Sequence, residues 1–206
     1  MAGLTLYTNP MSRGRIARWM LEEVGEPYET VVLEYDTGMK SPDYLAINPM
    51  GKVPAITHGD LVVTEAAAIC AYLADAFPAA GLAPATDDPA RGTYYRWMFF
   101  AAGPVEQAVT GKALGFQSDR KAMLGYGSFD DTMDALERAV SGTPYICGDR
   151  FTAADVYAGA QIDWGLTFGT IPERPAFADY ASRLRARPAY ARAAAIDDAL
   201  MPKQEG

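Results

Sequence analysis

The first 77 residues alternate between apolar segments of strand length and of helix length. The segment LTLYT predicts a short strand, and Pro10 ends it before apolar residues recur at helical spacing from Ile16 to Val24. Gly25 closes that helix, and YETVVLEY predicts a second strand. After a turn-rich region, VPAI and LVV predict a hairpin, and TEAAAICAYLADAF predicts a helix. The predicted order is βαβ followed by ββα.

The pattern changes beyond residue 77. The stretch PAAGLAPATDDPARG is rich in Pro, Gly and Asp, which is typical of a linker. Helical patterns follow it, at about 90–111, 119–140, 152–166, 176–186 and 189–200. We therefore predict an α/β + all-α architecture, with a small mixed domain at residues 1–77, a linker at 78–89 and a helical bundle domain at 90–206.

Composition and charge narrow the class of protein. Half of the 206 residues are hydrophobic, enough for a sizeable core, and the net charge is −8. A negative chain is a poor match for a broad phosphate-binding surface, so we expect no nucleic-acid partner. No apolar run approaches the roughly 20 residues of a membrane span, and the N-terminus lacks a basic segment followed by an apolar one. We expect a cytoplasmic protein with no membrane association.

The two cysteines carry no recognisable chemistry. Cys70 and Cys147 lie far apart, and neither belongs to a C-x-x-C pair or stands beside a histidine. We therefore predict no metal site and no redox dithiol. Both cysteines are expected to be small buried hydrophobic residues.

The segment NPMSRGR places polar and basic residues where the first strand gives way to the first helix. Ser12 is a suitable N-cap, because a serine hydroxyl accepts a hydrogen bond from a free N–H of the first turn. Arg13, Arg15 and Arg18 follow it, and at this spacing they cannot all face one site. We expect at least one of these arginines to be solvated or to form a salt bridge between the two domains.

Three longer stretches stand out: NPMSRGRIARWMLEEVGEPYE, NPMGKVPAITHGDLVVTEAAAICAYLADAFP and GDRFTAADVYAG. In GDRFTAADVYAG, Thr152 and Asp155 have the spacing of a helix capping box. Together with the order of elements, these stretches resemble the cytosolic glutathione S-transferases, in particular bacterial and serine-type members. The resemblance implies a thioredoxin-like domain followed by a helical domain, over nearly the whole chain.

The resemblance also implies a function. Such an enzyme activates glutathione, its co-substrate, as a thiolate for attack on a small hydrophobic electrophile, a detoxification reaction without a metal. Family members form homodimers, and the electrophile is expected between the two domains. The alternatives are a glutathione-dependent isomerase or peroxidase, or a non-catalytic interaction module of the same fold. The aromatic-rich run from Tyr94 to Phe100 exceeds one core-facing stripe, so some of it is expected to line a pocket or a subunit interface.

Ser12 is the predicted catalytic residue. A free thiol has a pKa of about 8.5 and is mostly protonated at neutral pH. A hydroxyl donor at a helix N-terminus, together with the helix dipole, can lower that pKa by about one to two units. Ser12 resembles the serine of the serine-type classes, and a plain cap is its structural alternative. Tyr7 is a rival because other classes use a tyrosine near the first strand, and Asn9 could donate an amide N–H to the sulfur.

Val53 and Pro54 are predicted to bind the middle of the glutathione peptide. A proline that opens a strand suggests that the backbone of Val53 faces outward at a sheet edge, where an extended peptide can pair with it. By resemblance, the bond before Pro54 is cis, and the main chain of Val53 pairs with the cysteinyl unit.

Glu65 and Ala66 stand where a helix begins, so their free N–H groups favour a carboxylate. The resemblance assigns this position to the γ-glutamyl carboxylate. Relatives usually have serine where this chain has Ala66, and the missing hydroxyl removes about 1 kcal/mol of binding free energy. Glu65 can also be read as an ordinary first-turn acid. Lys40 and Lys52 flank the peptide site and are candidates for the glycyl carboxylate, with exposed loop lysines as the alternative.

Overall fold

The computed structural model describes residues 3–116 and 118–201. Its first part contains four strands and three α-helices within that described range. They are β1 (Leu4–Thr8), α1 (Gly14–Val24), β2 (Tyr28–Val32), α2 (Pro42–Ile47), β3 (Ala55–His58), β4 (Leu61–Thr64) and α3 (Ala66–Ala76). Single 3₁₀ turns lie at Gly38–Lys40 and Pro78–Ala80. Gly25 ends α1 in the left-handed conformation, as the sequence predicts.

The strands form a mixed sheet in the order β2-β1-β3-β4. β1 is parallel to β2 and antiparallel to β3, and β4 is antiparallel to β3. β3 therefore lies inside the sheet, and the expectation that Val53 faces a sheet edge is wrong. Val53 is instead outside the ladder because the pairing of β3 begins two residues later, at Ala55.

The two faces of the sheet are covered by different segments. Side chains alternate along β1, so Leu4 and Leu6 lie on one face and Tyr7 on the other. α1 and α3 pack against each other and against the sheet. Tyr7 packs instead into a small apolar cluster with Met39 and Tyr44, from the 3₁₀ turn and α2.

The hydrophobic pattern does not predict α2, which lies in the region expected to be turns. The helix has a local start signal all the same: Ser41 is its N-cap, Pro42 is its first residue, and the Ser41 hydroxyl accepts the Tyr44 N–H at 3.3 Å. Six residues are too few to show an apolar period, so only the cap could have indicated this helix.

The second part of the chain is helical. It contains α4 (Ala90–Phe100), α5 (Glu106–Ala113), α6 (Phe129–Ser141), α7 (Ala153–Phe168), α8 (Pro175–Arg185) and α9 (Pro188–Ala199), with a π-helical segment at Ala101–Val105 and a 3₁₀ turn at Lys121–Met123. The predicted fold class, a mixed α/β sheet unit followed by helices, is confirmed. None of the described helices is long and apolar enough to cross a lipid bilayer.

Two helix boundaries differ from the sequence-based prediction. The helix expected at 90–111 is interrupted by a π-helical segment that contains Pro104, which lacks the N–H that a regular helix needs. The helix expected from 119 begins only at Phe129, because Ser128 caps it by accepting the Asp131 N–H at 3.1 Å. The predicted capping box of α7 is present, and its Asp155 also accepts hydrogen bonds from Ile146 N and the Tyr180 hydroxyl.

The chain divides into two compact units. One runs to Ala80 and takes up the chain again from Arg187, and the other is Gly81–Ala186. The first unit therefore includes α9, which packs against α1. The domain boundaries at 77, 78–89 and 90 stay a prediction.

Arg18 joins α1 to α9 inside the first unit. Its Nε donates to Asp197 Oδ1 at 2.8 Å, and both side chains are only 1% exposed. The Arg18 guanidinium also donates to the Tyr28 hydroxyl and to Thr30 Oγ1. Within the described residues, Arg18 Nη2 and Asp197 Oδ2 have no hydrogen-bond partner, so the pair is incompletely satisfied.

More exposed ion pairs lie along the same two helices. Arg15 pairs with Asp198 at 2.7 Å, so one of the early arginines forms a salt bridge, but within one compact unit and not between two. Arg192 pairs with Glu22 at 2.9 Å. Because partly exposed pairs contribute at most about 1 kcal/mol each, the buried pair dominates the electrostatics of this contact.

Replacing Arg18 by Met leaves the Asp197 carboxylate buried and unpaired. We expect the free energy of unfolding to fall by about 3–5 kcal/mol, and the double variant Arg18→Met, Asp197→Leu to recover most of that loss. The control Asp198→Asn breaks an exposed pair and should change stability by less than about 1 kcal/mol. Urea unfolding followed by circular dichroism measures all three. A double variant no more stable than Arg18→Met would contradict this account of the pair.

Candidate active site

The segments that carry the predicted site residues meet at one end of the sheet. β1 and β2 are parallel, so both end there. β3 runs the opposite way and begins there, with Ala55 opposite Tyr7, and β4 ends there, with Thr64 opposite Ala55. The turn after β1, the Val53–Pro54 peptide before β3 and the start of α3 after β4 are therefore neighbours at this end.

Ser12 lies half-buried in the turn between β1 and α1. Its hydroxyl donates to the Asn9 carbonyl at 2.7 Å and accepts the Gly14 N–H at 2.9 Å. The N-cap position of α1 is occupied by Arg13, so the assignment of the N-cap to Ser12 is wrong by one residue. Ser12 still satisfies the first N–H of the helix, and that N–H polarises the hydroxyl as a donor.

Gly14 allows α1 to start close to the end of β1. A Cβ atom at this position would overlap Thr8 Oγ1 and lie 3.0 Å from Ser12 Oγ. Thr8 is fully buried, so it has little room to move away. The glycine of NPMSRGR therefore has a packing reason that is independent of any ligand.

The two alternatives to Ser12 are differently engaged. The ring of Tyr7 lies 5.7 Å from that of Tyr44, centroid to centroid, in the apolar cluster beside α2. Asn9 is only 5% exposed, and its side chain donates to the Leu33 carbonyl and accepts the Met11 N–H, both at 2.9 Å. Asn9 thus ties the turn after β1 to the segment after β2.

Two side chains that the sequence analysis did not single out hold the loop before β3 by hydrogen bonds. Asn48 Nδ2 and the Tyr44 hydroxyl donate to the Lys52 carbonyl at 2.7 and 2.6 Å. Burial raises the pKa of Tyr44 to about 12, so its hydroxyl stays protonated and remains a donor. Asn48 begins an Asx turn, in which its Oδ1 accepts the Met50 N–H at 3.1 Å. An asparagine in a turn-rich stretch is the sequence signal that could have indicated this turn.

These contacts fix the Val53–Pro54 peptide, whose bond is cis as the resemblance implies. Among the described residues, neither the N–H nor the carbonyl of Val53 has a backbone hydrogen bond. Val53 therefore keeps one donor and one acceptor for an extended ligand.

The two lysines differ in their surroundings. Lys40 Nζ donates to the Gly51 carbonyl at 2.8 Å and lies 3.4 Å from the Met50 carbonyl, so it braces the loop before β3. An ammonium group has three N–H donors, which leaves Lys40 with donor capacity. Lys52 is exposed, and its main-chain carbonyl is the part that organises the loop.

Glu65 adopts a strained conformation at the start of α3. Its φ is +67°, the one positive φ among the described non-glycine residues. Such a conformation costs about 1–3 kcal/mol and is concentrated at functional sites. Glu65 occupies the N-cap position without a side-chain capping bond, and Ala66 begins the helix. The first-turn N–H groups of α3 therefore remain available to an anion.

Neither cysteine supplies a thiolate. Burial raises the pKa of Cys147 to about 11, and it also raises the pKa of the fully buried Cys70. Among the described residues, no group of three or more His, Cys, Asp or Glu side chains is placed to hold a metal ion. A thiolate at this site would therefore come from a ligand.

Comparisons with known proteins identify the family of this chain. The N-terminal domain model of the glutathione S-transferase family matches residues 2–75, and the C-terminal domain model matches residues 99–164. Glutathione S-transferase 3 of Zea mays is 31% identical over an alignment 210 positions long, which covers 92% of this chain and 92% of that one. This chain belongs to the glutathione S-transferase family, a family of transferases.

Solved structures support the same assignment. A glutathione transferase from Methylococcus capsulatus is 26% identical, with a TM-score of 0.80 over 95% of this chain and 99% of that one. A glutathione transferase homologue from Sulfitobacter, with bound glutathione, is 28% identical, with a TM-score of 0.75 over 98% of this chain and 100% of its own. The resemblance recognised in the sequence is confirmed.

Proposed function

We propose that this protein is a glutathione transferase that binds glutathione at the sheet end and activates it as a thiolate with Ser12. The reaction is attack of the sulfur on a small hydrophobic electrophile, without a metal. The observation that carries the proposal is the convergence of a hydroxyl, an unpaired Val53 main chain and an open helix N-terminus at one sheet end. Both cysteines are free thiols, which suits a reducing compartment such as the cytoplasm.

The dimensions of glutathione match those of the sheet end. Neighbouring strands lie about 4.8 Å apart, so two strand intervals at this end of the sheet cover about 10 Å. An extended peptide of three residues spans about the same distance. The γ-glutamyl carboxylate would sit at Glu65 and Ala66, the cysteinyl main chain at Val53 and Pro54, and the sulfur beside Ser12. The glycyl carboxylate would then lie towards Lys40 and Lys52.

The Ser12 hydroxyl must change partners to act. It donates to the Asn9 carbonyl at 2.7 Å, a neutral hydrogen bond worth about 1 kcal/mol. A bond to a charged sulfur is worth about 1.5–3 kcal/mol, so the exchange favours the thiolate by about 0.5–2 kcal/mol. That difference corresponds to a thiol pKa lowered by about half to one and a half units. Competition from the Asn9 carbonyl thus makes the expected lowering of the thiol pKa smaller than the one to two units expected from the sequence, by about half a unit.

Loss of the Ser12 hydroxyl should therefore affect rate more than binding. In Ser12→Ala, we expect the thiol pKa of bound glutathione to rise by about half to one and a half units, and turnover below that pKa to fall about threefold to thirtyfold. Affinity should change less, because the peptide is held elsewhere. Thiolate absorbance as a function of pH measures the first quantity.

Tyr7→Phe is the matched control for that titration, since it also removes one hydroxyl at the same sheet end. It should titrate like the wild type. A normal thiol pKa in Ser12→Ala with a raised pKa in Tyr7→Phe would reverse the assignment. Failure of the wild type to bind glutathione at millimolar concentration would favour a non-catalytic module.

The alanine at position 66 should weaken the γ-glutamyl site. We expect Ala66→Ser to add one hydrogen bond and to tighten glutathione binding about fivefold, the equivalent of about 1 kcal/mol. Ala68→Ser, on the exposed side of the same first turn, is the control and should leave the affinity unchanged. Calorimetric titration gives both constants. Equal affinities for Ala66→Ser and the wild type would place the carboxylate elsewhere.

We also propose a homodimer. In α4, Tyr94, Trp97 and Met98 are buried, whereas Tyr95 and Phe99 are exposed with their ring centroids 6.2 Å apart. Exposed aromatic residues one helical turn apart form a patch that is typical of a protein interface. This division of the aromatic run fits the expectation that part of it lines a subunit contact.

Light scattering should give about twice the 22.2 kDa chain mass at micromolar concentration. We expect Phe99→Asp to shift the mass towards the monomer, because it places a charge in the buried interface. Phe168→Asp changes a side chain of the same type and similar exposure, 71% against 69%, outside this patch and should not alter the mass. A monomeric wild type, or a dimer in Phe99→Asp, would contradict this interface.

A further inference from the structure

One residue, Asn9, accepts several hydrogen bonds from the turn that carries Ser12. Asn9 accepts the Met11 N–H through Oδ1 at 2.9 Å and the Ser12 N–H through its carbonyl at 3.1 Å. The same carbonyl accepts the Ser12 hydroxyl. When the hydroxyl turns to a sulfur atom, the turn therefore loses one of the bonds that hold it in place.

Two further side chains donate hydrogen bonds to main-chain carbonyls of the same turn. Arg15 Nε donates to the Pro10 carbonyl at 2.6 Å, and the Tyr35 hydroxyl donates to the Met11 carbonyl at 2.9 Å. The Pro10–Met11 and Met11–Ser12 peptide groups are thus each hydrogen-bonded through both the carbonyl and the N–H. The orientation of each peptide plane is therefore fixed whether or not the Ser12 hydroxyl keeps its bond to the Asn9 carbonyl.

Tyr35 is itself anchored to the sheet. Leu33, two residues earlier, donates its N–H to the Thr8 carbonyl and accepts Asn9 Nδ2, both at 2.9 Å. Glu34 accepts the Met39 N–H at 2.9 Å. The chain on the N-terminal side of Tyr35 is therefore fixed to β1, and the tyrosine hydroxyl connects this fixed segment to the turn.

We propose that Tyr35 is a positioning residue that keeps Ser12 in place while its hydroxyl exchanges the Asn9 carbonyl for the glutathione sulfur. This inference rests on the proposed function. The tether is the hydrogen bond from the Tyr35 hydroxyl to the Met11 carbonyl. Without it, the turn can relax when the bond from the Ser12 hydroxyl to the Asn9 carbonyl is lost, and the hydroxyl then meets the sulfur with poorer geometry. The loss would appear in the thiolate form, because that is the form to which the hydroxyl donates.

Tyr35 is a better subject for the test than Arg15. The Arg15 side chain also pairs with Asp198, so its removal would disturb the contact between α1 and α9 as well. Tyr35 is 46% exposed, and Tyr35→Phe removes a single exposed hydrogen bond while keeping the ring. The variant is expected to fold, since such a bond contributes about 1 kcal/mol or less.

The matched control is Tyr44→Phe, which also removes one hydroxyl-to-carbonyl bond at this sheet end, but on the Val53 loop. In Tyr35→Phe, the thiol pKa of bound glutathione should rise and kcat should fall severalfold with KM for glutathione within twofold. In Tyr44→Phe, KM should rise and the thiol pKa should stay at the wild-type value. 1-Chloro-2,4-dinitrobenzene serves as the electrophile in the rate measurements.

The double variant Ser12→Ala, Tyr35→Phe separates positioning from a general structural effect. If Tyr35 acts through Ser12, the double variant should have the same thiol pKa as Ser12→Ala alone. A further rise in the double variant, or a wild-type pKa in Tyr35→Phe, would overturn the inference and leave the proposed function intact. The absence of a thiolate signal in the wild type would overturn both.

Hydrogen exchange of the ligand-free protein tests the tether without glutathione. Tyr35→Phe should speed exchange at the amides of Met11, Ser12 and Gly14, and leave the amides of Met50 and Gly51 unchanged. Tyr44→Phe should do the opposite. Equal protection of the turn amides in Tyr35→Phe and the wild type would show that the hydroxyl does not hold the turn.

Discussion

The antiparallel pairing of β1 with β3, in the register Tyr7 to Ala55, decides where the functional groups lie. Because β3 starts where β1 ends, the cis peptide before β3 lies next to the turn after β1. The pairing of β3 with β4 places Thr64 opposite Ala55, so the start of α3 follows on the other side. A shift of one residue would exchange the faces of the strand and separate these groups. The proposed peptide site is thus a consequence of sheet pairing.

A rigid backbone and a mobile proton are combined at Ser12. Gly14 lets the helix begin against Thr8, and Asn9 joins the turn to the segment after β2. Within the protein, only the Ser12 O–H bond has to turn for the proposed chemistry, from the Asn9 carbonyl to the sulfur, while the thiol proton of glutathione passes to solvent. Such an arrangement costs little reorganisation at the moment of reaction, which is the condition for effective electrostatic stabilisation. The strained backbone of Glu65 is a second sign that the sheet end is arranged for a ligand.

Local patterns predicted most of the elements, because α1 and the strands have apolar periods long enough to recognise. They failed where a tertiary contact or a single cap decides: Ser128 starts α6 about ten residues later than expected, and the partner of Arg18 lies 179 residues away along the chain. For the site, the sequence identified the segments by resemblance. It could not show that β3 lies inside the sheet or reveal the Tyr35 tether, because strand order and contacts between loops are not local properties.

The central claim is that glutathione binds at this sheet end and loses its thiol proton there. Calorimetric titration near neutral pH, in buffers of different ionisation enthalpy, counts the protons released on binding. The account predicts net proton release for glutathione and none for S-methylglutathione, whose sulfur cannot ionise, at comparable affinity. Equal proton release for the two ligands, or binding of glutathione without release, would contradict it.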